Sequence, residues 1–177
     1  MSDTFVVVGG DAAGMSAASK AKRDNPDLDV VVFEKGDWVS YAACGMPYYL
    51  KGDVENIDDC RRLCLCPDRC LDAKLDEVDD LVQVTPEQFR SERDIDLRIH
   101  HEVVAVNPDE QTVTVEDDEG ERFDQHYDDL LIATGASAIE PPFDGIDLDG
   151  VFSLHDLDHA EAIDTFLEEQ EPETAAI

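Results

Sequence analysis

The chain opens on a mostly apolar, β-branched run, TFVVV from Thr4 to Val8, that breaks at Gly9-Gly10 into a stretch of alternating small and polar residues from Ala12 to Arg23. That pattern predicts a strand buried on both faces, a tight turn and a helix. Asn25-Pro26-Asp27 closes the helix, and a second apolar run, Val30 to Phe33, ends at Glu34. A strand–helix–strand unit is thus complete in about 30 residues. From Trp38 to Leu50 the pattern is apolar and aromatic around Cys44, whereas residues 51–80 are acidic and cysteine-rich without a clear period. Order resumes at Thr85-Pro86-Glu87, a helix start with proline at the first helical position. Strands follow near Leu97 to Val106 and Thr112 to Glu116, with Asp117 to Gly120 as a hairpin turn. A further strand, Leu130 to Ala133, runs into Thr134-Gly135, and a helix spans Asp156 to Glu169. Ala175-Ala176-Ile177 reads as a strand cut short. The expected fold class is α/β, a parallel sheet with crossover helices and a small antiparallel meander.

The turn after the first strand has the residues of a dinucleotide site. A helix N-terminus offers unpaired N–H groups and the positive end of its dipole to a pyrophosphate. Gly9 and Gly14 fit the outer glycines of G-x-G-x-x-G, and Asp11 stands at the middle one. Glu34, 20 residues beyond Gly14 at the end of the second strand, is placed to accept hydrogen bonds from ribose hydroxyls and disfavours a 2′-phosphate. An ordinary crossover whose glycines only permit tight packing is the alternative. Leu130 to Gly135 likewise reads either as a plain strand and turn or as a backbone passing close to a cofactor.

Charge narrows the partners. The 44 acidic residues against 13 basic ones give a formal charge of −31, which repels nucleic acid and anionic lipid. The acids are spread through turns and helix faces, as on a halophile's surface, so low salt is expected to weaken fold and cofactor binding. No positively charged start followed by an apolar stretch precedes Phe5, and no apolar run approaches membrane-spanning length, so the expected location is the cytoplasm. Cys60, Cys64, Cys66 and Cys70 are spaced C-x₃-C-x-C-x₃-C. Structural zinc sites separate their cysteine pairs by a longer loop, and no metal is assigned here.

Taken together, VVVGGDAAGMSAASKAKR at 6–23, VFEK at 32–35, SYAACGMPYY at 40–49, LVQVTPEQF at 81–89 and YDDLLIATGA at 127–136 resemble the single-cysteine branch of the pyridine-nucleotide:disulfide oxidoreductases. That branch includes the coenzyme A disulfide reductases and the NADH oxidases and peroxidases. Like them, the chain lacks the second cysteine of C-x-x-x-x-C reductases, carrying Tyr49 at that position. The resemblance implies a Rossmann-like FAD-binding domain over residues 1–160, with a loop insertion at 60–80. Residues 161–177 would be a linker and the start of an NADH-binding domain, and full-length relatives homodimerise through a further domain. It implies FAD as cofactor, NADH or NADPH as electron donor, and coenzyme A disulfide, oxygen or peroxide as acceptor.

The same resemblance implies Cys44 as the redox-active thiol, cycling through a mixed disulfide with coenzyme A or a sulfenic acid. Cofactor contacts would come from Gly9, Gly10, Ala13, Gly14, Glu34, Lys35, Val104, Ala133, Thr134 and Gly135. Ser16, Lys20, Arg23, Ser40 and Arg93 would meet coenzyme A, while a solvated helix face is the alternative for Lys20 and Arg23. Ala43 stands where many relatives carry asparagine. Three function classes follow: a redox enzyme module, a flavin-binding fragment without turnover, and a cysteine-cluster metal protein on a degenerate flavin fold.

Overall fold

The computed structural model describes residues 2–51, 82–142 and 144–176. The inferred insertion at 60–80 and its four cysteines lie outside them. The chain divides into two compact units, Met1–Tyr41 with Val84–Gly135, and Ala42–Gln83 with Ala136–Ile177.

In the first unit, β1 (Thr4–Val8), β2 (Asp29–Phe33), β3 (Asp96–Arg98) and β7 (Asp129–Ile132) form a parallel sheet in the order β3-β2-β1-β7. Parallel strands need crossovers, and α1 (Ala12–Asp24) and α3 (Pro86–Arg93) precede β2 and β3. β4 (His101–Asn107), β5 (Thr112–Asp117) and β6 (Arg122–His126) form the antiparallel meander. The period-2 alternation of strand side chains makes three layers of this. Val7, Val30 and Val32 pack with Met15, Ala18, Phe89 and Leu97 on the helical side. Val6, Val31 and Phe33 pack on Val113, Val115 and Tyr127 of the opposite side. A central strand buried on both faces has to be apolar throughout, which is why β1 reads as a run of valines.

The start of α3 is set locally. The Thr85 hydroxyl accepts from the Gln88 N–H at 3.3 Å, and the Gln88 side chain accepts from the Thr85 N–H at 3.0 Å. Pro86 opens the helix in this capping box. The expected hairpin turn at Asp117 to Gly120 is present, closed by Gly120 N–H donating to the Asp117 carbonyl at 2.9 Å.

The stretch Leu97 to Val106 is two strands in two sheets. The chain leaves β3, takes a left-handed conformation at His100 (φ 58°) and enters β4. The His100 ring sits 3.2 Å from carboxylates of both Asp37 and Asp118, and these partners hold a corner that no glycine marks. The backbone of Glu34 reinforces it, donating to Arg98 and accepting from His101, each at 2.9 Å.

The second unit carries a 3₁₀ turn at Ala43–Gly45, which runs directly into α2 (Met46–Lys51), and α4 (Leu157–Gln170). The last helix runs without interruption through residue 160. Asp156 caps it by accepting from the His159 N–H at 3.0 Å. Phe152 meets Phe166 edge to face, and Gly150 lies so close beneath the same ring that a Cβ there would sit 2.9 Å from it. Buried Tyr49 of α2 donates its hydroxyl to Asp164 of α4 at 2.7 Å. Among the described residues no helix is long and apolar enough to cross a membrane.

Burial pushes the Tyr49 hydroxyl well above its ordinary range, and the hydrogen bond to Asp164 adds to this. The bond therefore stabilises the fold fully below the unfolded tyrosine value of about 10 and is lost as pH rises through the higher folded value. Tyr49→Phe is expected to cost about 1 kcal/mol at neutral pH. It should also flatten the loss of thermal stability above pH 10, as followed by circular dichroism.

Candidate functional site

The carboxyl edge of the parallel sheet brings together three segments that are far apart in sequence: the turn after β1, the end of β2 and the exit from β7. Gly9, at φ 108°, is backed by the backbone just past β7 so closely that a Cβ would lie 2.3 Å from the Ala133 carbonyl oxygen. Gly14 is backed by the turn itself, and its Cβ would lie 1.9 Å from the Gly9 oxygen. Both glycines are thus required by backbone packing, and the packing aims the start of α1 at the crevice beyond the strand ends, where open α/β sheets bind ligands. Gly10 lies against Glu34 and Val39.

Glu34 ties the turn to the second strand. Its Oε2 accepts from the Gly10 N–H at 2.6 Å and its Oε1 from the Gly36 N–H at 2.9 Å. Each oxygen retains acceptor capacity for a ribose hydroxyl. Ala12 and Ala13 are exposed at the first turn of the 13-residue α1, where helical geometry leaves N–H groups unpaired. Exposed Gly135 has a positive φ of 67° and open space around its Cβ position. Small residues, first-turn N–H groups that have no partner within the helix and an acceptor carboxylate fit the adenosine diphosphate part of a flavin dinucleotide.

Asp11 runs against that fit. Its Oδ1 is buried with no hydrogen-bond partner among the described residues. Burial raises its carboxyl above the ordinary range, opposed by the N–H groups of Ala12 and Tyr41 and aided by the Glu34 charge. Ser40, also at positive φ (49°), donates its N–H to the Gly10 carbonyl at 3.1 Å and so braces the same turn. Lys35 is exposed just past Glu34, and Val104 is the exposed residue at the register shift in β4.

A second feature of this unit is a cavity of about 460 Å³ lined by Ser19, Lys22, Arg23, Pro26, Glu92, Arg93 and Asp94. It unites Arg23 with Arg93 but does not include Lys20, which pairs with Asp24 one helical turn on. Ser16 is exposed on α1 outside the cavity lining. Sequence reading named Arg23 and Arg93 of this lining and missed Pro26, Glu92 and Asp94 as well as Ser19 and Lys22. For Ser19 and Lys22, the shared face of α1 with Arg23, at i, i+3 and i+4, was the available signal. Cys44 belongs to the other unit, exposed in the 3₁₀ turn before α2.

The geometry defines a dinucleotide-binding α/β fold with its phosphate turn at the sheet's carboxyl edge. Residues 3–176 match the pyridine nucleotide-disulphide oxidoreductase family, and the chain belongs to that family. Members of the family are FAD-dependent oxidoreductases that work with NAD(P)H. The NAD(P)H coenzyme A polysulfide/persulfide reductase of Pyrococcus horikoshii is 37% identical over 177 residues, which is 100% of this chain and 34% of that protein. The coenzyme A disulfide reductase of Staphylococcus haemolyticus is 32% identical over 174 residues, 98% of this chain and 34% of that one. The structure of reduced Bacillus anthracis CoADR-RHD superposes with a TM-score of 0.79 at 28% identity, covering 97% of this chain and 28% of that chain. This chain spans about a third of the length of the curated relatives it matches.

If Asp11 is a burden on a pyrophosphate bound at the turn, Asp11→Asn should retain flavin more firmly. The expected gain is about fivefold at low ionic strength, the effect of roughly 1 kcal/mol between unit charges 4 Å apart in water, and it should fade as salt is added. Wild-type retention should also rise as pH falls through the raised Asp11 value, because the neutral acid no longer repels phosphate. Dialysis against graded salt at two pH values measures this. Weaker retention by the asparagine variant would show that the carboxylate itself holds the ligand.

Proposed function

We propose that this chain is the flavin-binding module of an FAD-dependent coenzyme A disulfide reductase, with Cys44 as the thiol that exchanges with the substrate. One observation carries the choice of substrate: Arg23 and Arg93 share a cavity, and among the described residues neither forms an ion pair with a carboxylate. In a chain with 44 acidic and 13 basic residues, a cavity whose cations (Lys22, Arg23 and Arg93) outnumber its acids (Glu92 and Asp94) is a charge outlier. A multiply phosphorylated ligand such as coenzyme A supplies the missing anions, and guanidinium groups suit phosphate oxygens. The names of the Staphylococcus haemolyticus and Pyrococcus horikoshii relatives point the same way.

The residues have distinct tasks in this reading. Gly9, Gly10, Ala13, Gly14 and Glu34 hold the FAD pyrophosphate and ribose, with Lys35, Val104, Ala133, Thr134 and Gly135 as further cofactor contacts. Arg23 and Arg93, with Ser16, Lys20 and Ser40, meet coenzyme A. The Cys44 thiolate attacks one sulfur of coenzyme A disulfide; the substrate S–S bond breaks, one coenzyme A thiolate leaves, and a mixed disulfide forms on Cys44. Two electrons then cleave that mixed disulfide, returning the Cys44 thiolate and a second coenzyme A thiolate. FAD, when bound, supplies the two-electron relay from NAD(P)H. A thiol that must be kept reduced between turnovers suits the cytoplasm.

Incubation with coenzyme A disulfide, followed by peptide mass spectrometry, tests the assignment. Wild type should gain one coenzyme A adduct on Cys44, removable by dithiothreitol, and Cys44→Ser should gain none there while keeping its flavin. Adducts confined to Cys60, Cys64, Cys66 or Cys70 would contradict it. A sulfenic acid on Cys44 after peroxide, without any coenzyme A adduct, would favour an oxidase or peroxidase.

A further inference from the structure

The cations of the Arg23/Arg93 cavity are not equivalent. Lys22 is committed: only 13% of its side chain is exposed, its Nζ donates to the Leu28 carbonyl at 2.9 Å, and it pairs with Asp94 at 2.7 Å. Asp94 can reach it because α3 ends there in a left-handed cap (φ 52°). The acid adjacent to Arg93 is thereby drawn to Lys22, and Glu92 on the other side forms no ion pair with Arg93 among the described residues.

Arg93 is held by two groups that leave its charge intact. Its guanidinium lies 4.8 Å above the ring of buried Phe89, and its NH1 donates to the Ser19 Oγ at 3.0 Å. Ser19 is the buried polar residue of the described core, at 6% exposure, and sits 74 positions away on α1. A buried hydroxyl oxygen needs a donor, and an arginine needs an ordered side chain to recognise phosphate without losing rotamer freedom on binding. One hydrogen bond meets both needs while consuming a single N–H of the five that the guanidinium offers.

We propose that Ser19 is a positioning residue, which with the Phe89 ring fixes Arg93 as a preorganised phosphate ligand in the coenzyme A site. The proposal rests on the coenzyme A reading above. Ser19 does not touch the ligand in this arrangement; it acts through Arg93. Lys22 serves the same end by neutralising Asp94, and is not itself a phosphate ligand.

The test is a double-mutant cycle on the full chain, with adenosine 3′,5′-bisphosphate as the calorimetric probe and melting temperature and flavin content as controls for folding. Ser19→Ala should weaken binding by about threefold to tenfold, the scale of releasing one ordered long side chain. Arg93→Ala should weaken it more. Adding Ser19→Ala to Arg93→Ala should change nothing further, because Ser19 has no other route to the ligand. Equal losses in the two backgrounds, or wild-type affinity in Ser19→Ala, would overturn the positioning role and leave the coenzyme A reading standing. Failure of wild type to bind the bisphosphate would overturn both.

Discussion

Backbone-on-backbone contact at the carboxyl edge of the parallel sheet is the constraint on which the rest depends. Gly9 lies against Ala133, just past the end of β7, and Gly14 lies against Gly9, each without space for a Cβ. A methyl at Gly14 would stand 1.9 Å from a carbonyl oxygen, so even alanine requires the helix to move away from the strand. That close packing sets where α1 begins and where its first-turn N–H groups point. It also brings Glu34 within reach of the Gly10 N–H. The features attributed to flavin recognition in the first unit inherit their positions from this one contact.

The local parts of the architecture were legible because they are written locally. Phe5 to Val8 is apolar because β1 is flanked on both faces, and the helix start read at Thr85-Pro86-Glu87 is set by a capping box within four residues. The strand expected at Leu130 to Ala133 is observed at Asp129–Ile132, and the spacing of Gly9, Gly14 and Glu34 already pointed to a strand–turn–helix unit. What escaped was set by partners distant in sequence. The corner at His100 depends on Asp37 and Asp118, and nothing in Leu97 to Val106 itself announces it. Lys20 and Arg23 looked alike as neighbours on one helix. What separates them is Arg93, 70 positions beyond Arg23, which shares the cavity with Arg23 and not with Lys20. Ser19 is an unremarkable small residue in sequence and acquires meaning only from Arg93.

Charge gives the two halves of the account a common logic. With 44 acidic residues, an unpaired arginine has no shortage of possible carboxylate partners. Keeping Arg93 free of them takes specific structure: the cap at Asp94, Lys22 as the decoy cation, and Ser19 and Phe89 as neutral supports. Asp11 is the converse case, a carboxylate placed by the turn where an anion is expected to approach, with its charge disfavoured by burial. A negatively charged protein thus has to build its anion sites by removing or neutralising acids nearby, and high ionic strength eases the remainder by screening.

The central claim is that the turn from Gly9 to Gly14, together with Glu34, binds the adenosine diphosphate part of FAD. Titration of the flavin-stripped chain with FAD in high salt, read by flavin fluorescence, addresses it most directly. Wild type should saturate at one FAD per chain. Glu34→Ala should bind about tenfold to a hundredfold more weakly, as expected for losing charge-assisted hydrogen bonds to a ribose. Absence of saturable binding by wild type, or equal affinity in Glu34→Ala, would contradict the account.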